Sequence, residues 1–425
     1  MIYHLNINIQ IIYLSYDCQR HYSLVQTLTK QETTQAQQHA TPLLNQKQLS
    51  TKRFPKQTPL ARSRYLRYHR QTRRGLVAHY QSLLDLCIIR SDVRINIKRA
   101  RFITFSTSIW LLFGRSTNQN NSLQIQQTCL SLAFKSYTTF NYFGVIGFFE
   151  GLLQFQTSNV IINAMSQDTF DRFGTLGAST SLSYSSSSSV SVIVNGNGGQ
   201  HISALVGNNL SPNTTVMNCS VYSTFIQGGQ FVGGYFGNSQ QVSIKYSKIT
   251  ESVVKGSYSA GLIGYAFANV IQIANCTVQN VTVGTNNYCG GLIGQLQAGS
   301  IMMFSNNVVT MSTVSCVSHA GGFIGFADES SNIVISEGIL SSNNITASNA
   351  NAGGFIGTFS TVYSGCTLKI VTSRISSVRV FSPNSAGIAV GYRYPAFTVS
   401  TSILRGENYV NNIKIANCAN YATTC

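Results

Sequence analysis

A short glycine motif recurs along the 425-residue chain about every 30 residues, and this recurrence limits the fold more than any other feature. It appears as GVIG ending at Gly147 and as GTLG ending at Gly177. It then recurs at seven further glycines: Gly207, Gly237, Gly264, Gly294, Gly325, Gly357 and Gly391. A nucleotide-binding glycine loop occurs once, after one strand. The repetition therefore indicates structural repeats rather than a phosphate site.

Hydrophobic residues alternate with polar residues after each motif. The inward positions that this alternation predicts are Val242, Ile244, Ile249, Val253, Ile271, Ile273, Val278, Val281, Val283, Ile301, Met303, Ile333, Ile335, Leu368, Ile370, Phe397 and Val399. Period-two alternation rich in β-branched residues is typical of short strands with one buried face. No segment after about residue 140 has a helical period.

Short strands on a period of this length predict an all-β fold, a right-handed parallel β-helix with coils of about 30 residues. A propeller blade needs about 40–45 residues and is too long. We expect three short strands and three turns in each coil, with the motif glycines aligned at one corner. Apolar residues between those glycines, such as Leu292 and Ile293, are expected to fill the core beside that corner.

The segments AGLIGYA, GGLIGQL, GGFIGFA and GGFIGTF, each followed by an alternating strand, resemble the GLUG-type repeat. The resemblance covers residues 200–425 well and 141–200 weakly. Such repeats occur in large surface and secreted proteins, including bacterial adhesins and immunoglobulin-A peptidases. The resemblance implies a β-solenoid in a surface-exposed or adhesive setting, with no catalytic residues in the repeats.

Charge divides the chain into regions. Residues 1–115 hold 18 of the 29 Lys and Arg and 4 of the 12 Asp and Glu, so they carry +14 of the net +17. We interpret 1–115 as a basic extension of low order, disordered or partly helical, with a short helix over 76–89. Residues 116–200 are predicted to be a transitional region of degenerate coils, in which serine-rich 178–200 is a coil rather than a loop. Residues 201–425 are predicted to be the repeat domain.

The basic, tyrosine-containing stretch from Lys52 to Gly75 has two interpretations. It is either an electrostatic arm for nucleic acid or anionic lipid, or a disordered extension or a segment wrongly joined to the reading frame. We favour the second, so binding of nucleic acid or lipid through 1–115 is not expected.

Candidate catalytic groups are few beyond residue 200. The acids are Glu251, Asp328, Glu329, Glu337 and Glu407, and the histidines are His201 and His319. A carbohydrate-active β-helix requires clustered carboxylates, whereas these acids are spaced like solvated turn charges. We therefore predict no catalytic residue, no metal site and no cofactor.

The cysteines follow the repeat in part. Cys219 and Cys276 share an NC[ST]V context, with Ser247 in the intervening coil. They should lie two coils apart, beyond disulfide reach, as small buried residues. A bridge between Cys289 and Cys316 on neighbouring coils stays open. Sequons occur at Asn120, Asn213, Asn218, Asn275, Asn280 and Asn344, and an outward polar ladder explains Asn218 and Asn275 equally well.

These features favour a non-enzymatic repeat scaffold acting in adhesion or structural contact, with a glycan or protein as the unknown surface ligand. The alternative is a carbohydrate-active enzyme or a polysaccharide-binding module. The expected location is the cell surface or the secreted space, although the first residues do not resemble a secretory signal and no apolar run has membrane-helix length. Open strand edges at the last coil predict either further coils or end-to-end self-association.

Overall fold

A computed structural model describes residues 198–415 and, before them, a series of strands between Asn8 and Gly196. Short gaps within the main stretch lie at 212–213, 268–269, 298–300, 329–331, 361–366, 394–397, 401–402, 406–407 and 411. Several sequence predictions fall outside the described residues: the basic stretch 52–75, the acids Glu329 and Glu407, the sequon residues Asn120 and Asn213, and Phe397.

Every regular element that the structure describes is a strand. The first twelve are β1 (Asn8–Ile12), β2 (Val77–Tyr80), β3 (Asp85–Ile89), β4 (Asp92–Ala100), β5 (Ser108–Ser116), β6 (Ser122–Gln126), β7 (Cys129–Ser136), β8 (Phe140–Gln156), β9 (Asn159–Ser166), β10 (Phe170–Gly174), β11 (Gly177–Ser186) and β12 (Ser189–Gly196). The expected helix over 76–89 is therefore replaced by β2 and β3. Parallel pairing with β5 and β6 supplies these strands with backbone hydrogen bonds that an isolated helix would have to form alone.

The glycine-marked region contains the remaining strands. Its first half holds β13 (His201–Ser203), β14 (Val206–Asn209), β15 (Thr214–Met217), β16 (Ser220–Tyr222), β17 (Phe225–Gln227), β18 (Phe231–Gly233), β19 (Phe236–Ser239), β20 (Val242–Lys245), β21 (Lys248–Ala260), β22 (Ile263–Ala266), β23 (Val270–Ala274), β24 (Thr277–Gly290), β25 (Ile293–Leu296), β26 (Ile301–Ser305), β27 (Val308–Thr310) and β28 (Thr313–Cys316). Its second half holds β29 (His319–Gly321), β30 (Ile324–Ala327), β31 (Asn332–Ser336), β32 (Ile339–Ser341), β33 (Asn344–Ala347), β34 (Asn351–Gly353), β35 (Ile356–Phe359), β36 (Thr367–Val371), β37 (Arg374–Ser376), β38 (Arg379–Phe381), β39 (Ser385–Gly387), β40 (Val390–Arg393), β41 (Thr398–Ser400), β42 (Ile403–Arg405), β43 (Asn408–Val410) and β44 (Ile413–Ile415).

Equivalent strands of successive turns pair in parallel and form five columns. Column 1 is β13, β18, the ends of β21 and β24, then β29, β34 and β39. Column 2 is β14, β19, β22, β25, β30, β35 and β40. Column 3 runs from β15 to β41, column 4 from β16 to β42 and column 5 from β17 to β43. The chain is therefore a parallel β-solenoid, as predicted, with about six turns of about 31 residues between Gly207 and Gly391.

The same stacking extends to the strands before residue 200. β11 and β12 contain the serine-rich stretch and pair in parallel with β8 and β9 on one side. On the other side they pair with β14 to β17 of the glycine-marked region. The serine-rich stretch is thus part of the strand ladder and not a loop. At the far end, β44 pairs antiparallel with β43, so one strand of the last turn has a covered edge instead of the open edge expected there.

The solenoid interior is built from the alternating apolar residues. Column 3 places two such side chains inward in each turn, and they are at most 2% exposed: Val242, Ile244, Ile271, Ile273, Met302, Phe304, Ile333, Ile335, Leu368 and Ile370. Leu292 and Ile293 are fully buried, as predicted. Burial of each such side chain contributes roughly 1.5–3 kcal/mol, so the stacked interior is the main source of stability.

The predicted alternation was wrong at two places. Met302 and Phe304 lie opposite Ile271 and Ile273 and are buried, whereas the predicted Ile301 and Met303 are 46% and 40% exposed. Four consecutive apolar residues at 301–304 leave the register ambiguous, and a slip of one residue exchanges the two faces. Similarly, Val254 points inward rather than Val253.

Most turns contain five short strands rather than the three expected, whereas β21 and β24 each run without interruption through columns 4, 5 and 1. Two corner positions have left-handed backbone, with φ near +50°, which separates neighbouring strands in most turns, although Glu251 and Asn280 lie inside β21 and β24. The corner between columns 3 and 4 uses Asn218, Tyr246, Asn275, Asn306, Glu337 and Thr372. The corner between columns 4 and 5 uses Ser223, Glu251, Asn280, Met311, Ser342 and Ser377. The asparagines of three sequons, Asn218, Asn275 and Asn280, thus occupy positions where asparagine is favoured for its backbone conformation.

A buried serine, threonine or asparagine follows many of these corners and joins neighbouring turns. Asn307 accepts the Cys276 N–H at 3.0 Å through Oδ1 and donates to the Ile273 carbonyl at 2.7 Å through Nδ2. Asn343 makes the same two bonds, to the Ser312 N–H and the Val309 carbonyl, at the next corner. Ser247 joins its turn to the previous one by a single bond, in which its hydroxyl oxygen accepts the Cys219 N–H at 3.2 Å. These side chains satisfy backbone groups that the corners remove from the strand ladder.

Replacing Asn307 with alanine is expected to destabilise the fold by about 2 kcal/mol, because two buried backbone groups lose their partner. Denaturant midpoints of the full chain measure the change. Ser305→Ala, which alters an exposed side chain of the same strand, is the control and should shift the midpoint little. Equal shifts in the two variants would contradict this role for Asn307.

Candidate functional site

The motif glycines form the corner between columns 1 and 2. All seven lie in column 2 strands, in adjacent turns, each opposite the next. A Cβ on Gly237 would lie 2.5 Å from the Gly207 carbonyl oxygen and 2.8 Å from the Ile202 nitrogen. Gly264, Gly294, Gly325 and Gly357 meet backbone atoms at 2.5–2.6 Å in the same way. Glycine is needed here because two stretches of backbone pass in contact, and the corner brings the outer faces of columns 1 and 2 together.

The cysteines separate into a bridge and two buried thiols. Cys289 and Cys316, on neighbouring turns, form a disulfide with Cα atoms 5.9 Å apart. Cys219 and Cys276 are buried and not disulfide-bonded, with the Ser247 turn between them, as predicted. Burial raises the pKa of the Cys276 thiol to about 11, so this group stays protonated and unreactive at neutral pH.

The outer face of column 1 carries a continuous row of rings. The row consists of the first outward residue of five successive turns: His201, Phe231, Tyr258, Tyr288 and His319. The ring centroids of consecutive members are 5.2, 5.0, 5.2 and 5.2 Å apart. All except His201 are half-buried. Strand stacking thus sets the spacing of the rings, and side chains in contact at this spacing stabilise one another.

Column 2 adds two rings to the same face. Tyr265 lies 4.7 Å from Phe231, and Phe326 lies 4.7 Å from Tyr288, centroid to centroid. We call the seven rings His201, Phe231, Tyr258, Tyr265, Tyr288, His319 and Phe326 the aromatic strip. Burial is the main cause that raises the pKa of Tyr265, and the negative charge of Asp328 raises it further. Burial is also the main cause that raises the pKa of Tyr288, and the electrostatic interaction with Tyr258 comes second. Both phenols are therefore neutral at physiological pH.

Two asparagines extend the column 2 side of the strip. Asn208 and Asn238 precede Tyr265 in the strand register, at the same position of the two previous turns. They are only 5% and 8% exposed, and the Oδ1 atom of each is buried without a hydrogen-bond partner. A buried amide oxygen without a donor costs about 1–3 kcal/mol. Two such oxygens at equivalent positions of adjacent turns, beside the rings, therefore need an explanation.

His319 ends the row of rings and begins a polar cluster. Its Nδ1 lies 2.7 Å from the Thr358 hydroxyl oxygen, which also accepts a bond from Asn351 Nδ2 at 2.9 Å. Burial lowers the pKa of His319 to about 4. The ring is therefore neutral at physiological pH, with Nδ1 available to accept the Thr358 proton.

Acidification is expected to weaken the solenoid through His319. An unfolded histidine has a pKa of about 6.5, so the unfolded chain binds more protons wherever the pH lies between that value and the folded value of about 4. The stability contributed by neutral His319 is complete above pH 6.5 and is lost as the pH falls toward 4. Denaturant midpoints at pH 7.5 and 4.5 should differ more for the natural chain than for His319→Gln. If the midpoint falls equally in the natural chain and in the variant, the pH dependence belongs to other groups.

The predicted acids occupy separate places. Glu251 and Glu337 are exposed at left-handed corners in different columns, whereas half-buried Asp328 follows β30 near the strip. Within the part of the chain that the structure describes, no three His, Cys, Asp or Glu residues are grouped as metal ligands. The described residues also include no helix long and apolar enough to span a membrane.

The aromatic strip was missed in the sequence, although a periodic signal for it exists. The column 1 members lie six residues before the motif glycines, and the column 2 members one residue after them. At the first position the turns carry His201, Phe231, Tyr258, Tyr288, His319, Asn351 and Ser385, and at the second Asn208, Asn238, Tyr265, Gln295, Phe326, Thr358 and Tyr392. Alignment of the turns on their motif glycines would have revealed both sets. In a solenoid, residues at the same sequence distance from the glycine lie next to each other in successive turns.

The chain matches no protein-family model, no curated protein and no solved structure.

Proposed function

We propose that the protein is a non-enzymatic β-solenoid that acts in adhesion or structural contact at a cell surface or in the secreted space. The observation that carries the proposal is the aromatic strip, which spans five turns of one face. Aromatic side chains are enriched in contact surfaces, because they bury a large area at low entropic cost. A rigid ladder holds these rings in place before any partner arrives, which reduces the cost of binding.

The resemblance to GLUG-type repeats supports the same proposal, since those repeats occur in surface and secreted proteins. The Cys289–Cys316 bridge supports an oxidising location. The sequon asparagines Asn218, Asn280 and Asn344 are exposed, and glycans would meet no core packing there.

An adhesion assay tests this proposal. Beads coated with the folded full chain are expected to attach to the surface or matrix of the cells that produce it, and impermeant labels should reach the protein on intact cells. Beads coated with the heat-unfolded chain are the control. Equal attachment of both beads, or labelling only after the cells are opened, would contradict the proposal.

The carbohydrate-active enzyme remains the second candidate, because parallel β-helices that cleave polysaccharides place carboxylates in one groove. Here Glu251, Glu337 and Asp328 stand at three different positions of the turn, which favours the scaffold. Incubation with neutral and acidic polysaccharides should produce no new reducing ends. Release of oligosaccharides that is lost in an Asp328→Asn variant would establish the enzyme instead.

A further inference from the structure

We propose that the aromatic strip is a binding site for an uncharged, extended polysaccharide that lies along the solenoid axis. This inference deepens the proposed adhesive function by naming the ligand class, and it rests on that function. Three features of the strip carry it: the spacing of the rings, the unpartnered asparagine oxygens and the absence of formal charge.

The spacing of the rings fits a repeating ligand. Consecutive centroids in column 1 are 5.0–5.2 Å apart over five turns, and Tyr265 and Phe326 widen the row. A pyranose ring presents C–H groups on its faces, and these groups are attracted to the negative face of an aromatic ring. An extended β-linked chain advances by a comparable length with each sugar. Successive sugars therefore meet one ring of column 1 in each of five successive turns.

The asparagine oxygens beside the rings are hydrogen-bond acceptors without a donor, and sugar hydroxyl groups can supply one. Asn208 and Asn238 are more than nine-tenths buried, and their Oδ1 atoms have no partner. Both occupy the same register position as Tyr265, so they lie beside the rings and not elsewhere on the surface. A sugar that stacks on a ring directs its hydroxyl groups sideways, toward these two asparagines, and a rotation of each amide brings its oxygen to the surface to accept them. A purely apolar partner would leave the oxygens unpaired.

The absence of charged side chains from the strip favours a neutral ligand. None of the fourteen residues at the two outward positions is Lys, Arg, Asp or Glu. His319 is neutral at physiological pH, since burial lowers its pKa to about 4. Half-buried Asp328 acts on Tyr265 and Tyr288 and would repel an anionic chain. Nucleic acids and sulfated or uronic polysaccharides require the basic side chains that these positions lack.

Affinity electrophoresis of the full chain tests the inference. The probes are mixed-linkage β-glucan, xylan and galactomannan, with α-linked dextran and heparin for comparison. We expect at least one neutral β-linked polysaccharide to retard the protein, and dextran and heparin to retard it less. If no neutral β-linked polysaccharide does so, or if heparin retards it most, the inference fails while adhesion of the coated beads still stands.

Two variants connect binding to the strip. Tyr258→Ser combined with Tyr288→Ser should weaken retardation by about tenfold or more, because two stacking rings are lost. The control is Tyr246→Ser, which removes a 59% exposed tyrosine at a corner outside the strip and should leave retardation unchanged. Equal loss in both variants would overturn the assignment, and circular dichroism must show the same strand content in each.

Asn238→Leu separates binding from folding. The variant removes the unpartnered oxygen but keeps the approximate volume, so the fold should be as stable as before or more stable. Retardation by the same polysaccharide should nevertheless fall several-fold. A purely structural role for Asn238 would lower stability and leave retardation by the folded fraction unchanged, and that result would overturn the proposed contact.

Discussion

Gly294→Ala is expected to destabilise the solenoid by roughly 3 kcal/mol or more, which is at the upper end of the range for overpacking. The added methyl carbon would lie 2.5 Å from the Gly264 carbonyl oxygen and within 3.0 Å of both backbone polar atoms of Ser259. These atoms belong to the backbone of the preceding turn, so no side-chain rotation relieves the contact. The turns must separate locally, and the interior beside Leu292 and Ile293 loses its packing.

The denaturant midpoint of the full chain measures this effect. Thr285→Ala changes an exposed residue of the same turn, in β24, and should shift the stability by less than about 0.5 kcal/mol. A Gly294→Ala chain as stable as the Thr285→Ala control would show that the two backbones do not pass in contact at this corner. The explanation for the repeated glycine would then be wrong.

The period, the strand class and the parallel stacking were predictable from the sequence, because each depends on a pattern that many residues share. Glycines at nearly equal spacing and alternating Ile and Val suffice to predict a ladder of stacked turns. Burial of Leu292 and Ile293 followed from their place between such glycines. Patterns of this kind tolerate errors at single positions, so they survive imperfect repeats.

Details that depend on one residue were less predictable. The run Ile301–Met302–Met303–Phe304 satisfies either face, and only the partner strand decides that Met302 and Phe304 point inward. The left-handed corners use Asn, Ser, Glu, Thr, Met and Tyr in turn, so no single residue type marks them in the sequence. The five columns of strands were therefore not foreseen.

The aromatic strip was missed for a different reason. Its rings are separated by about 30 residues, and each taken singly is an ordinary strand residue. The contact between Phe231 and Tyr265 also joins one turn to the next across the glycine corner. The two columns form one surface only because columns 1 and 2 approach each other closely at the glycine corner. Residues that act through such an approach require coordinates, or an alignment of the turns, to be recognised.

Removal of the Cys289–Cys316 disulfide is the second change with a large expected effect. The bridge joins residues 27 apart in the sequence, and the loss of chain entropy that it imposes on the unfolded state corresponds to about 3.5 kcal/mol. Replacement of both cysteines with alanine is a well-matched change. The neighbouring turns already carry Ala320 opposite Cys289 and Ala347 opposite Cys316, so alanine fits both columns.

The natural oxidised chain should therefore unfold at a higher denaturant concentration than Cys289→Ala combined with Cys316→Ala. Addition of a thiol reductant should lower the natural midpoint toward that of the double variant and leave the variant unchanged. Cys276→Ala, which removes a buried thiol outside the bridge, is the control and must keep the full response to reductant. A response that persists in the double variant would place the redox-sensitive group elsewhere. Loss of the response in the double variant alone would assign the redox dependence of the stability to the Cys289–Cys316 bridge.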